Sequence, residues 1–259
     1  WDNEAPQALE EFKQAERLDK ENYLIHLRLG MSYARLGRLT EAVEELKTAA
    51  EINPRDLQSH YLLALIYASM KNNPAANQEY EIILKTLIQE DPANLQGHLY
   101  LGQFYFSQGR YDEAMRYFQN ALDIDGKNID ALFLLGSLLE KEGRREEAIQ
   151  YFKQVLNVDA GHSPSLNSLG YLYAEQGKNL DEAVRLIRLA LKAEPDNGAY
   201  VDSLGWAIFK KAIKENDTQL LKEAISLLEK ANELLPDPEI LEHLKEARAA
   251  LEKSDESSK

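Results

Sequence analysis

Apolar residues recur along this chain at spacings of three and four, and the pattern resets roughly every 34 residues. Each reset carries two amphipathic stretches. The first has the phase of His26, Leu29, Gly30 and Tyr33. The second places a small residue, a large one four later and a small one three after that, as in Ala42, Leu46, Ala49 and in Ala114, Phe118, Ala121. Such spacings put the side chains on one face of a helix, so every unit is predicted to be a helix pair. Leu29-Gly30-x-x-Tyr33 returns as Leu101-Gly102-x-x-Tyr105 and as Leu169-Gly170-x-x-Tyr173. Six units start near Tyr23, Leu57, Leu95, Ile129, Ser163 and Gly198, at intervals of 34, 38, 34, 34 and 35 residues. Pro54, Pro92, Pro195 and Pro236 fall at unit ends, where a helix has to stop. The second unit gains four residues within 80–88 and the sixth gains seven between Phe209 and Ala224. These insertions are about one and two helical turns, so the apolar face is nearly kept and both read as lengthened helices. Asn216-Asp217-Thr218 supplies the turn and cap before the last second-helix.

Period and pattern together resemble the tetratricopeptide repeat family, whose signature is W-x2-L-G-x2-Y, then A-x3-F, then P, on a period of about 34 residues. The resemblance implies an all-α fold: an α-α superhelix of about six antiparallel helix pairs with a concave groove, stabilised by stacking because one pair cannot bury its own apolar face. The units are then 23–56, 57–94, 95–128, 129–162, 163–197 and 198–238, in one array spanning 1–253. A partial repeat covers 1–22: Trp1 stands where a first helix would end, and Ala8, Phe12 and Ala15 form a second-helix stripe. After Pro236-Asp237-Pro238, a helix over 239–253 carries Ile240, Leu241, Leu244, Ala247 and Leu251 on one face and serves as a solvating cap, with 254–259 expected as a disordered tail. Leu169-Gly170-Tyr171 followed by Asp-Ser-Leu-Gly-Trp at 202–206 is similar to a stretch of bacterial family members, many of them exported or lipid-anchored. That similarity implies a bacterial source and a periplasmic or outer-membrane-associated site.

The chain has 259 residues and a net charge of −14, from 30 basic and 44 acidic side chains. A phosphate-binding surface needs clustered Lys and Arg, so nucleic acid is a poor fit as partner. There is no Cys, which excludes a disulfide framework and thiolate chemistry. No stretch reaches the ~18 consecutive apolar residues of a membrane span. No signal peptide is visible, and because the chain begins at Trp1 rather than Met, a processed or trimmed start is expected.

Candidate chemistry is sparse. His26, His60 and His98 share one slot, three residues before the Leu of Leu-Gly or its equivalent. Packing in that slot accounts for them, whereas a metal centre would need convergent carboxylates or Cys as well. Of 13 glycines, five follow Leu in a first helix (Gly30, Gly102, Gly136, Gly170, Gly205) and four sit at the turn inside a pair (Gly37, Gly109, Gly143, Gly177). The rest lie near unit boundaries, which leaves none for a phosphate-cradling loop, and no strand precedes any of them. Carboxylates such as Glu44-Glu45 and Glu146-Glu147 read as solvated helix faces. No residues support an enzyme, and no cofactor is expected.

One set of positions resists a purely structural account. One residue round from the packing stripe of each first helix runs a second stripe, which the family geometry places on the concave surface. It reads Leu27, Met31, Ala34; Tyr61, Leu65, Ala68; Leu99, Gln103, Phe106; Phe133, Ser137, Glu140; Asn167, Tyr171, Ala174; Asp202, Trp206, Phe209. Thirteen of these 18 are apolar, more than a face meeting only water should carry. No Lys or Arg occupies the stripe and Asn167 is its only Asn. The carboxylate grip and the Asn ladder known in the family are therefore not expected. An aromatic, Met-bearing trough suits an extended or helical peptide with apolar anchors, which makes the chain a non-enzymatic scaffold or adaptor for a protein partner. The alternatives are self-filling of the trough by neighbouring first helices, by a second copy or by the chain's own terminus, and homo-oligomeric stacking through the array ends. A more distant one is that the array positions a catalytic domain lying outside this sequence.

Overall fold

The computed structural model describes residues 4–257, and side chains over 6–254. Among the described residues there are fourteen helices and no strand. Backbone contacts divide the chain into two compact units, Trp1–Asn120 and Ala121–Lys259. Unit 1 holds α1 (Glu4–Leu18), α2 (Tyr23–Arg35), α3 (Leu39–Ile52), α4 (Leu57–Ser69), α5 (Asn73–Glu90), α6 (Leu95–Ser107) and most of α7 (Tyr111–Ile124). Unit 2 continues with α8 (Ile129–Lys141), α9 (Arg145–Val158), α10 (Ser163–Glu175), α11 (Leu180–Ala193), α12 (Gly198–Glu215), α13 (Thr218–Leu234) and α14 (Pro238–Ser257).

First helices begin where a short polar side chain can cap them. Asn22, Asp56, Asn94, Asn128, His162 and Asn197 each accept a hydrogen bond from a backbone N–H of the next turn. This satisfies donors that a helix start leaves without partners. They end at a left-handed residue. Gly37 has φ 73°, its N–H donates to Ala34 O, and Arg38 N–H donates to Tyr33 O, which closes the helix and turns the chain into α3. Gly109, Gly143 and Gly177 repeat the device, while Lys71 holds the equivalent place in the second pair at φ 58°.

Within a pair, the Leu-Gly glycine sets how closely the two helices approach. A methyl group on Gly30 would stand 2.5 Å from Leu46, and one on Gly102 would stand 2.5 Å from Phe118. The large residue of the second helix thus lies directly on the first-helix backbone, and Leu46, Phe118 and Phe152 are fully buried. Both insertions lengthen helices: α5 has 18 residues, and α12 and α13 have 18 and 17. Asn216 ends α12 in a left-handed conformation, and Asp217 caps α13 by accepting from Gln219 N and Leu220 N.

Two expectations at the C-terminal end need correction. The last helix runs to Ser257, so 254–257 are helical rather than tail. Its inward face is Ile240, His243, Leu244 and Ala247, whereas Leu241 points to solvent. Those four fall at offsets of zero, three, four and seven along the helix, and Leu241 lies one step off that phase. Trp1 lies outside the described residues, as do 258–259.

Candidate functional site

In unit 1 the first residues of two of the three stripes turn inward: Leu27 and Leu99 belong to the core, whereas Tyr61 in the same slot is open. The positions a turn further on are more open. On α4, Tyr61 is 52% and Leu65 43% exposed, and Ala68 is exposed as well. Met31 on α2 is half-buried, with the Arg28 guanidinium 3.9 Å from its sulfur. On α6, Gln103 is exposed and Phe106 is half-buried against Tyr111, ring centres 5.6 Å apart. Neither α4 nor α6 contains an Asp, Glu, Lys or Arg. α4 leaves Tyr61, Leu65 and Ala68 to solvent between the exposed Gln58 and Ser69.

Unit 2 treats the equivalent positions differently. Trp206 is only 4% exposed, and Phe209 beside it only 6%. The Trp206 ring stacks on His243 of α14 at 4.0 Å and on Phe209 at 5.1 Å, while its Nε1–H donates to Glu175 Oε1 at 2.8 Å. Lys210 Nζ lies 4.0 Å above the same indole. His243 Nδ1 sits 3.0 Å from both oxygens of the buried Asp202. Tyr171 O–H donates to Glu239 Oε1 at 3.0 Å, and burial together with the neighbouring carboxylates pushes its phenol up. Phe133 packs between Phe152 and His162, at 5.8 and 5.3 Å. The large apolar side chains Trp206, Phe209 and Phe133 are thus covered within unit 2, Trp206 by α14 and α10. The sequence pattern missed the part that α14 plays. The one available signal was His243, a polar residue in phase with the apolar ones.

Asn167 lines a cavity of about 260 Å³ bounded by α8, α10, α12 and the start of α14. Its Oδ1 is buried without a hydrogen-bond partner. Glu140 faces the same cavity, and burial raises its carboxyl to about 7, with Arg145 opposing the rise and Glu239 adding to it.

The histidine slot has a shared chemistry. Nε2–H of His26, His60 and His98 donates to the carbonyl of Lys20, Pro54 and Pro92 respectively, at 3.0, 3.2 and 3.0 Å. Nδ1 of His26 pairs with Glu45 at 2.8 Å and that of His60 with Glu79 at 2.6 Å. The imidazoles of His26 and His60 therefore tie their first helices to the preceding turn and to the second helix of the same pair. Desolvation opposes charging of His26, but the bonds to Glu45 and to the Lys20 carbonyl outweigh it and raise its pKa. For His60 the Glu79 hydrogen bond is the largest influence, and the shift is again upward. His98 has Tyr117 in place of a glutamate, 5.9 Å from ring to ring, and its Nδ1 has no partner. Among the described residues, the convergent group suited to a metal ion is Glu16, His26 and Glu45, whose ligand atoms lie within 4.8 Å of one another. Both ring nitrogens of His26 are already engaged there. No described helix is long and apolar enough to cross a membrane.

Models of the tetratricopeptide repeat match residues 2–78, 105–169 and 139–205, and a second model of the same repeat matches 61–129. Human tetratricopeptide repeat protein 6 is 28% identical over 45% of this chain and 22% of its own length. The type IV pilus assembly protein PilF of Pseudomonas aeruginosa is 28% identical over 38% of this chain and 36% of its own. The chain thus spans only about a quarter to a third of the relatives it matches. The solved structure of Pseudomonas aeruginosa PilF superposes with a TM-score of 0.57 at 19% identity, covering 90% of this chain and 98% of that one. A chain of the APC/C hetero-tetramer Cut9–Hcn1 gives 0.56 at 16% identity, over 94% and 46%. MamA gives 0.51 at 20% identity, over 69% and 91%. At such identities the superpositions show a shared fold.

Proposed function

The chain belongs to the tetratricopeptide repeat family of protein-interaction scaffolds, and on that premise we propose that unit 1 grips a charge-poor peptide segment through the first-helix face centred on Tyr61 and Leu65. One observation carries this reading. α4 has no Asp, Glu, Lys or Arg and buries apolar side chains on its inner face, yet Tyr61 and Leu65 on its outer face stand about half exposed. Water is a poor match for such a helix, and a partner side chain is a good one. Met31 and Phe106 occupy the related stripe on α2 and α6, and aromatic residues and Met are the side chains enriched at interface cores. No Lys or Arg stands among the stripe positions, so the anchors are apolar side chains rather than a terminal carboxylate.

Selection from a random peptide display library on the purified protein checks this directly. Recovered peptides should be enriched in aromatic and large aliphatic anchors at spacings of two, or of three and four. Recovery dominated by acidic peptides or by C-terminal carboxylates would remove the reading.

The similarity to a pilus assembly protein supports a scaffold role in building a cell-surface structure of a bacterium. Cell fractionation tests that placement: recovery with periplasmic or outer-membrane markers is expected, and recovery with cytosolic markers alone contradicts it.

A further inference from the structure

Two side-chain acceptors in the unit 2 cavity have no hydrogen-bond partner among the described residues. Asn167 Oδ1 is shut off from solvent with no hydrogen bond. Glu140 reaches in from α8, and its carboxylate makes no hydrogen bond or ion pair among the described residues. The neighbouring acids are already engaged. Asp202 holds His243, Glu239 accepts from Tyr171, and Asp237 caps α14 by accepting from Glu239 N–H. Ser203, which also lines the cavity, gives its hydroxyl proton to Ala199 O. Two acceptors, a carboxylate and a carboxamide oxygen, therefore remain open in a partly desolvated space. Burying unmatched acceptors is costly, and the charged form of Glu140 already suffers from it.

The missing complement is a cation with several N–H donors. A bare metal ion is a poor candidate. The carboxylate and imidazole groups close enough to share an ion lie elsewhere among the described residues, at Glu16, His26 and Glu45. At about 260 Å³ the cavity also holds several times the ~30 Å³ of a water molecule. Ala199, Leu235 and Ile240 give it apolar walls that suit a methylene stem. We propose that this cavity receives the end of a lysine or arginine side chain from a partner polypeptide, with Glu140 and Asn167 Oδ1 accepting from the cationic head. Asn167 thus acts in recognition, while Trp206 and Phe209 act in packing. The subsite is independent of the apolar face of unit 1.

An NMR titration of the full chain tests it, with the blocked tripeptides Ac-Gly-Lys-Gly-NH2 and Ac-Gly-Arg-Gly-NH2 as probes. Saturable shifts of the Asn167 side-chain amide are expected with either. No such shift is expected with the norleucine analogue or with magnesium chloride. Glu140→Gln should weaken binding about tenfold, the usual scale for losing one charge-assisted bond. Binding should also weaken as pH falls below about 7, where Glu140 takes up a proton in the field of Arg145 from α9 and Glu239 from α14. Failure of both cationic probes to shift Asn167, equal binding of the norleucine peptide, shifts produced by magnesium alone, or an unchanged Glu140→Gln affinity would each overturn the assignment. Tyr61→Asp/Leu65→Asp should leave these shifts in place, so failure of this subsite and failure of the unit 1 reading are told apart.

Discussion

At the scale of single residues, the Leu-Gly glycine and the titrating groups make the sharpest statements. A methyl group at position 102 would meet the Phe118 ring at 2.5 Å, and that ring is fully buried with nowhere to turn. Gly102→Ala should cost about 1–3 kcal/mol through overpacking, read as a lowered midpoint in urea unfolding. Glu140 has a folded pKa of about 7, above the unfolded carboxylate value, so its contribution is favourable below the unfolded pKa and is lost as pH rises through about 7. Glu140→Gln should therefore leave stability unchanged near pH 4 and raise it at pH 8 by about 1–3 kcal/mol, seen in thermal melts at the two pH values. His60 is raised as well, chiefly by Glu79. Its pair with Glu79 stabilises fully below the unfolded histidine pKa and loses that contribution as pH rises through the folded one. Glu79→Gln should lower the His60 pKa toward the free imidazole value in an NMR pH titration, and an unmoved pKa would refute the assigned cause. Histidines in one slot were recognisable from the sequence as structural. Their glutamate partners, 19 residues further on, were not, because helix-face carboxylates are common and only the fold picks out the pair.

At the scale of elements, the two lengthened helix pairs, the Asn216–Asp217 turn and the start of each first helix were legible, since apolar phase and capping residues are local properties of the chain. What covers a helix face is not local. The second stripe on the first helices has large apolar residues in both units, with Gln103 its one polar residue in unit 1 and Ser137, Glu140, Asn167 and Asp202 in unit 2. Yet Tyr61 and Leu65 meet solvent, while Trp206 and Phe209 lie under α14 and α10. Leu27 and Leu99 lie deeper than the stripe pattern implies, whereas Tyr61 in the same slot stays open. His243 is the residue through which α14 closes over α12. His243→Ala should strip Asp202 of its partner in a buried place and cost about 2–4 kcal/mol. Near-ultraviolet circular dichroism of Trp206 should change along with the melting temperature.

At the scale of the whole molecule, the repeat grammar accounts for the helices, the packing glycines and the histidine ties, and what it leaves over is distributed unevenly. Unit 1 keeps exposed apolar side chains, Tyr61 and Leu65, on α4. Unit 2 closes its apolar stripe and keeps a cavity with unmatched acceptors. A scaffold that reads apolar anchors on one unit and a cation on the other would be selective for the pattern of its partner rather than for hydrophobicity alone. The role of Tyr61 and Leu65 in gripping a partner is tested by the affinity of a display-selected peptide for the wild-type chain and for Tyr61→Asp/Leu65→Asp. Both side chains stand about half exposed, so the variant should keep the wild-type helical circular dichroism and melting temperature. A loss of affinity of about a hundredfold, the scale of removing two apolar anchors, is the predicted result. A folded variant that binds the peptide as tightly as wild type would contradict it.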